Sequence, residues 1–188
     1  MPEPGIERVS ASLGANDGWR APLPRVNHGR MWTTIDSPLG PLRLVEQDGA
    51  LVAIDFAPFA QDMDADAHDP APARGSVLRR ASDQLAAYFA GELRDFDLPL
   101  APSGTPFQRM VWQSLRSIPY GRTTTYGAIA ERIGTPNAAR AVGLANSRNP
   151  LPIVIACHRV IGKDGKLTGY AGGLDRKAWL LQLEATTI

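Results

Sequence analysis

The chain has one cysteine in 188 residues, Cys157. A single thiol forms no internal disulfide and builds no multi-cysteine zinc site. No apolar run is long enough to span a bilayer. The start, Met1-Pro2-Glu3-Pro4-Gly5, lacks the basic residues and apolar stretch of a secretory signal. With one thiol and no such signal, the expected setting is the reducing cytoplasm. Lysine is absent from residues 1–103, where 9 Arg face 15 Asp and Glu, a net of −6. Residues 104–188 carry 11 Lys and Arg against 4 acids, a net of +7, so the total of +1 conceals two oppositely charged halves. A basic segment suits a polyanionic partner, because Lys and Arg displace counterions condensed on a phosphate backbone. An unevenly charged, solvated surface is the competing reading.

What is present divides the chain. Residues 1–30 mix Pro, Gly, Ser and scattered charge without period and read as a disordered extension. Pro41–Glu46 alternates apolar and polar residues, Asp48-Gly49 is a hairpin-turn signal, and Val52, Ile54 and Phe56 alternate again. Gln61–Arg74 reads as a polar loop. Leu78, Leu85 and Phe89 mark one face of a helix ending near Gly91. A small α+β domain over residues 31–100 follows from these elements. Residues 98–104 form a linker to a second, mostly helical domain over residues 104–188. There Thr105-Pro106-Phe107-Gln108 looks like a capping box. A helix with the stripe Phe107, Val111 and Leu115 then runs to Pro119-Tyr120-Gly121. Short helices are expected from Tyr126 to Ile133 and from Asn137 to about Asn146, the second capped by Thr135-Pro136. The pair has helix-turn-helix dimensions. Ala138, Ala139, Ala141, Gly143 and Ala145 leave Arg140 as the second helix's one long cation. Such a helix can approach another surface closely, a neighbouring helix or a nucleic acid.

Cys157 ends the apolar, strand-like run Ile153-Val154-Ile155-Ala156 and is followed by His158 and Arg159. A thiol becomes a strong nucleophile as the thiolate, which nearby positive charge or an adjacent base favours. A lone Cys-His pair is also what a buried structural thiol looks like.

Taken in order, Phe107-Gln108 with Val111-Trp112, Ile118-Pro119-Tyr120-Gly121, Thr125-Tyr126, Ala138-Ala139-Arg140-Ala141-Val142-Gly143, Asn149-Pro150, Cys157-His158-Arg159-Val160 and Gly169-Tyr170 with Gly172-Gly173 resemble the O6-alkylguanine-DNA alkyltransferases. The resemblance covers residues 31–188 and implies an α+β fold whose C-terminal domain carries a winged-helix-like helix-turn-helix. It implies DNA repair by direct reversal: one-turnover transfer of an alkyl group, foremost methyl, from guanine O6 to Cys157. O4-alkylthymine is a second candidate substrate. The implied partner is double-stranded DNA containing O6-alkylguanine, bound by a monomer with no cofactor, metal or membrane.

The resemblance also implies roles. Cys157 is the nucleophile, and His158 its base through a water. Glu184 orients the imidazole, in a terminal helix expected to be N-capped by Asp175. Asn149 ties the active-site turn together, and Tyr126 meets the guanine as negative charge develops. Arg140 fills the gap left by an extruded base, while Ala138, Ala139 and Gly143 let the helix lie in the minor groove. Val160, Tyr170, Ala171 and Asn146 line the base pocket, because a base stacked in a duplex must be flipped out to react. Ala156 stands where the family usually has proline, which removes a fixed φ before the nucleophile. Ala171 replaces a hydroxyl residue of some relatives. The rival readings are a lesion-binding protein without transfer activity, a DNA-binding regulator, and an unrelated cysteine hydrolase.

Overall fold

The computed structural model describes residues 29–59 and 67–187. The extension expected over residues 1–30 lies almost wholly outside them, as does the first part of the loop at Gln61–Arg74. Asp48 (φ 53°) and Gly49 (φ 75°) both adopt the left-handed conformation that a two-residue type I′ turn requires. They join β2 (Leu42–Gln47) to β3 (Ala50–Phe56) as an antiparallel hairpin with Gln47 opposite Ala50. β1 (Met31–Ile35) pairs antiparallel with β2, and β4 (Ala67–His68) pairs parallel with β1, giving the order β3-β2-β1-β4. β4 thus lies within the segment expected to be loop. In α1 (Val77–Phe89), Ser76 accepts the Arg79 N–H as N-cap, and Leu78, Ala81, Leu85 and Tyr88 are buried.

The simple alternation expected over Pro41–Glu46 is not how that strand is buried. Leu42, Arg43, Leu44 and Val45 are all inaccessible, because the second face of β2 is also covered. There Arg43 pairs with Asp55 at 2.8 Å and lies 4.7 Å from the Phe59 ring centroid. The segment expected as a linker is likewise tied down. The Leu51 N–H donates to Pro99 O at 2.8 Å and the Ala101 N–H to Leu51 O at 3.0 Å. Leu98 and Leu100 join a hydrophobic core that continues through Val111, Leu115, Ile129 and Leu180.

α2 (Pro106–Arg116) opens on the expected capping box, with Thr105 and Gln108 exchanging side-chain and backbone bonds. The Trp112 indole N–H donates to Ala145 O at 2.8 Å, locking α2 onto the later helix that carries Ala145. β5 (Thr124–Thr125) leads directly into α3 (Tyr126–Arg132), and Gly134 follows it at φ 73°. α4 (Ala139–Ser147) starts later than expected, with Ala138 as an N-cap that makes no side-chain bond. Thr135 does not cap it, because its N–H donates back to Ala130 O at 2.8 Å and closes α3.

Ile153–Ile155 is turn rather than strand. Ile153 sits at φ 74°, and continuous burial of Leu151–Cys157 comes from a turn packed on all sides. Cys157–Arg159 forms a 3-10 turn, followed by β6 (Val160–Ile161) pairing parallel with β5. That pairing brings Tyr126 beside the residues after Cys157. α5 (Leu174–Thr186) is N-capped by Gly173, not Asp175. Gly173 has φ 87°, and Asp175 lies in the first turn, where a carboxylate suits the helix dipole. No helix among the described residues is long and apolar enough to cross a membrane.

Candidate active site

α5 buries Lys177, Leu180 and Glu184, a three-then-four spacing that keeps them on one helix face. Two of these three are charged. A charge inside a protein must be paired or hydrogen-bonded: Glu184 is both, and Lys177 is held by backbone carbonyls. Glu184 is fully buried and collects donors from four residues in three segments. Its Oε1 accepts the Tyr88 hydroxyl at 2.7 Å, His158 Nε2 at 2.8 Å and Arg159 Nη2 at 2.9 Å. Its Oε2 accepts Arg159 Nε at 2.9 Å and the Gly121 N–H at 3.0 Å. These donors outweigh burial and hold its carboxyl down at about 2.

The carboxylate decides the tautomer of His158. Nε2 carries the proton toward Glu184, which leaves the lone pair on Nδ1. Nδ1 is buried and has no hydrogen-bond partner among the described residues. Burial, with the positive charges of Arg159 and Lys177, holds the imidazole below its ordinary pKa of 6.5, Glu184 opposing them. His158 is therefore a neutral base at physiological pH.

Cys157 is buried. Desolvation pushes its thiol up to about 11, while the Asn149 amide and the Lys177 charge act to lower it. Asn149 Nδ2 donates to Cys157 Sγ at 3.0 Å and to Ile155 O at 2.8 Å, and its Oδ1 accepts the Leu151 N–H at 3.0 Å. One side chain thereby closes the turn and touches the sulfur. Asn146 Nδ2 reaches Cys157 O at 3.4 Å. The guanidinium beside Cys157 in sequence does not serve the thiol: Arg159 turns to Glu184 and to Ile118 O at 2.6 Å. The cation that acts on the sulfur is Lys177, whose Nζ donates to Val160 O at 2.6 Å and Thr168 O at 2.7 Å.

On the open side, the Tyr126 hydroxyl donates to Thr168 O at 3.0 Å, and desolvation raises its pKa, keeping it protonated. Tyr126 borders a groove of about 670 Å³ lined also by Ala139, Arg140, Gly143, Lys163 and Gly169. Arg140 is exposed there and Ala138 lies just beyond, at the α4 N-cap. Val160 and Tyr170 are buried, whereas Ala171 is exposed on the wall of a separate cleft.

The structure thus gathers Cys157, His158, Glu184, Asn149 and Asn146 into one buried cluster, with Tyr126, Arg140, Ala139 and Gly143 on the adjacent groove. The sequence assigns no role to Tyr88, Gly121 or Lys177, and it sets Arg159 beside the thiol rather than on Glu184. Arg159 stands within the motif Cys157-His158-Arg159-Val160, which is the one signal that marks it as part of the site. Tyr88 carries no such signal, because it comes from the other half of the chain.

Residues 31–102 match the family described as 6-O-methylguanine DNA methyltransferase, ribonuclease-like domain. Residues 106–186 match its counterpart, 6-O-methylguanine DNA methyltransferase, DNA binding domain. A methylated-DNA--protein-cysteine methyltransferase of Methanosarcina acetivorans is 50% identical over 155 residues, 82% of this chain and 98% of that protein. One from Mycobacterium tuberculosis is 51% identical over 153 residues, 81% of this chain and 91% of that protein. The crystal structure of M. tuberculosis O6-methylguanine methyltransferase superposes with a TM-score of 0.77 at 48% identity, covering 85% of this chain and 94% of that one. The crystal structure of M. tuberculosis OGT in complex with DNA gives 0.77 at 50% identity, covering 84% and 94%.

Proposed function

Because this chain belongs to the 6-O-methylguanine DNA methyltransferase family, we propose that Cys157 is its alkyl acceptor and that His158, Glu184, Asn149 and Tyr126 serve that one reaction. The activity is that of a methylated-DNA–protein-cysteine methyltransferase, and the role is direct-reversal DNA repair. DNA is the partner. The observation that carries the residue assignments is the hydrogen-bonded run from Glu184 to His158 next to the Asn149-held thiol. It follows nucleophile–base–orienter logic.

The flipped O6-alkylguanine enters from the groove at Tyr126. His158 Nδ1 takes the thiol proton through one water, and Glu184 stabilises the imidazolium that results. The sulfur attacks the alkyl carbon, an S–C bond forms as the C–O6 bond breaks, and the electron pair passes to the guanine oxygen. Tyr126, kept protonated, turns its hydroxyl from Thr168 O to that oxygen, and the proton taken from the thiol finally passes from the imidazolium to the guanine, which leaves neutral and returns His158 to its neutral form. A thioether is not displaced under mild conditions, so each chain acts once, as a monomer, in a reducing cytoplasm where one thiol persists. Arg140 and the small residues Ala138, Ala139 and Gly143 suit close approach to a duplex and replacement of an extruded base.

Intact mass after incubation with duplex DNA containing O6-methylguanine tests this reading. One methyl per chain, mapped to Cys157, is expected. Repeated turnover, or a methyl elsewhere, overturns it. A lesion-binding protein leaves the mass unchanged, and a cysteine hydrolase turns over while ignoring DNA.

A further inference from the structure

Residues Gly169–Gly173 separate two spaces. Gly169 borders the groove of Tyr126 and Arg140. Ala171 borders a cleft of about 570 Å³ between β3 and the turn after α4, whose walls include Phe56, Pro58, Asn149, Pro150 and Pro152. The cleft approaches the sulfur through Asn149, which lines it and whose amide lies 3.0 Å from Cys157 Sγ. The position of this loop relative to Asn149 therefore sets the room beyond the reacting carbon.

Two residues outside the reacting cluster fix that position. Arg176 spends its guanidinium on three carbonyls from three segments: Nε on Leu39 O at 3.1 Å, Nη1 on Gly172 O at 3.0 Å and Nη2 on Ala57 O at 3.1 Å. Two of these acceptors belong to the N-terminal half and one to the loop. The same guanidinium lies 4.8 Å from the Phe56 ring centroid, within cation–π range. Phe56 meets Tyr170 edge-on at 6.1 Å. A Cβ at Gly172 would fall 2.7 Å from Phe56 Cε2 and 2.8 Å from Tyr170 Cε1. The loop already rests on the Phe56 ring and cannot retreat, while Arg176 prevents its advance.

We propose that Phe56 and Arg176 are specificity-determining residues that hold loop 169–173 at a fixed distance from the Asn149–Pro152 turn and so limit the size of the O6 substituent transferred to Cys157. The inference rests on Cys157 being the alkyl acceptor. A methyl group ends at the sulfur, whereas a larger substituent carries its remaining atoms toward the cleft and presses on the loop. Phe56 and Arg176 stand outside the hydrogen-bonded cluster around Cys157. They act through the loop, and the N-terminal half thereby sets substrate range for chemistry performed in the C-terminal half.

The test compares single-turnover alkylation by duplexes carrying O6-methylguanine and O6-benzylguanine, read by intact mass, in the full chain and in Phe56→Ala, Phe56→Leu and Arg176→Gln. Phe56→Leu keeps most of the buried bulk and carries the test if Phe56→Ala does not fold. The benzyl-to-methyl rate ratio should rise roughly tenfold in the Phe56 and Arg176 variants, the discrimination that one methylene of apolar space supplies. A purely structural role lowers both rates by one factor and leaves the ratio unchanged, and that result overturns the proposal. Failure of the unsubstituted chain to gain one methyl on Cys157 overturns the underlying reading instead, so the two failures are distinguishable.

Discussion

Glu184→Gln keeps the shape of the buried side chain and removes its charge, and its cost follows from the donors around it. As a carboxylate, Oε1 accepts from Tyr88, His158 and Arg159, and Oε2 accepts from Arg159 and the Gly121 N–H. An amide offers one oxygen and one NH2 group, so whichever way it turns, the NH2 faces donors. The Arg159 guanidinium is also left inside without its counter-charge. Breaking one partner of a buried ion pair costs about 3–5 kcal/mol. In a chain of this size each kcal/mol moves Tm by about 2–4 °C, so a loss of roughly 6–20 °C is expected at pH 7. Glu184 sits near 2 when folded, against an ordinary 4.5. Its contribution is therefore complete above pH 4.5 and fades as pH falls through about 2, so the gap between the two proteins should close in acid. Arg159→Met added to Glu184→Gln removes the orphaned cation, and the double variant should recover about 0.5–3 kcal/mol against the sum of the singles. Alkylation of Cys157 should slow by about two to four orders of magnitude, as when an orienting carboxylate becomes an amide beside a catalytic imidazole. Thermal unfolding and single-turnover mass shifts read both effects. A Tm loss below about 3 °C, the scale of an exposed pair, would refute the account of Glu184 as a charged hub.

Three further outcomes follow from the geometry. His158 is held below 6.5 by burial and the thiol is pushed up to about 11. The rate with free O6-benzylguanine should thus fall on acidification with a midpoint below 6.5 and rise toward alkaline pH; an acid midpoint above 6.5 would remove His158 as the neutral base. Arg140→Ala should slow repair of a duplex far more than dealkylation of free O6-benzylguanine, because extrusion costs a few kcal/mol in a duplex and the free base needs none. Equal slowing in paired single-turnover assays would mean that Arg140 supports the fold instead. Ala156 has φ −72°, within the range a proline imposes, so Ala156→Pro should raise unfolding stability by about 0.4–1 kcal/mol with transfer intact. Destabilisation in a denaturant titration would show that the position resists the ring.

Local chemistry was legible along the chain wherever neighbours in sequence are neighbours in space. The Asp48-Gly49 turn, the Thr105–Gln108 capping box and the α3 stop at Gly134 depend on backbone conformation within a few residues, and residue type announces them. The α+β class also came from the sequence, as did the pairing of His158 with Glu184, the latter through resemblance, because an isolated glutamate on a terminal helix looks like solvated surface. Folding alone decided what surrounds those groups. An apolar run reads the same whether it becomes a strand or a packed turn, so Leu151–Cys157 required the Asn149 side chain to show which. Arg159 pointed at the thiol in sequence and at Glu184 in space, because charge pairing acts through distance and not through chain order. Tyr88 and Glu184 are 96 residues apart, and no local pattern connects them. Their contact exists because the hydrophobic core that closes the N-terminal sheet over α1 runs on into α2 and α5. That shared burial places the hydroxyl of one half on the carboxylate of the other.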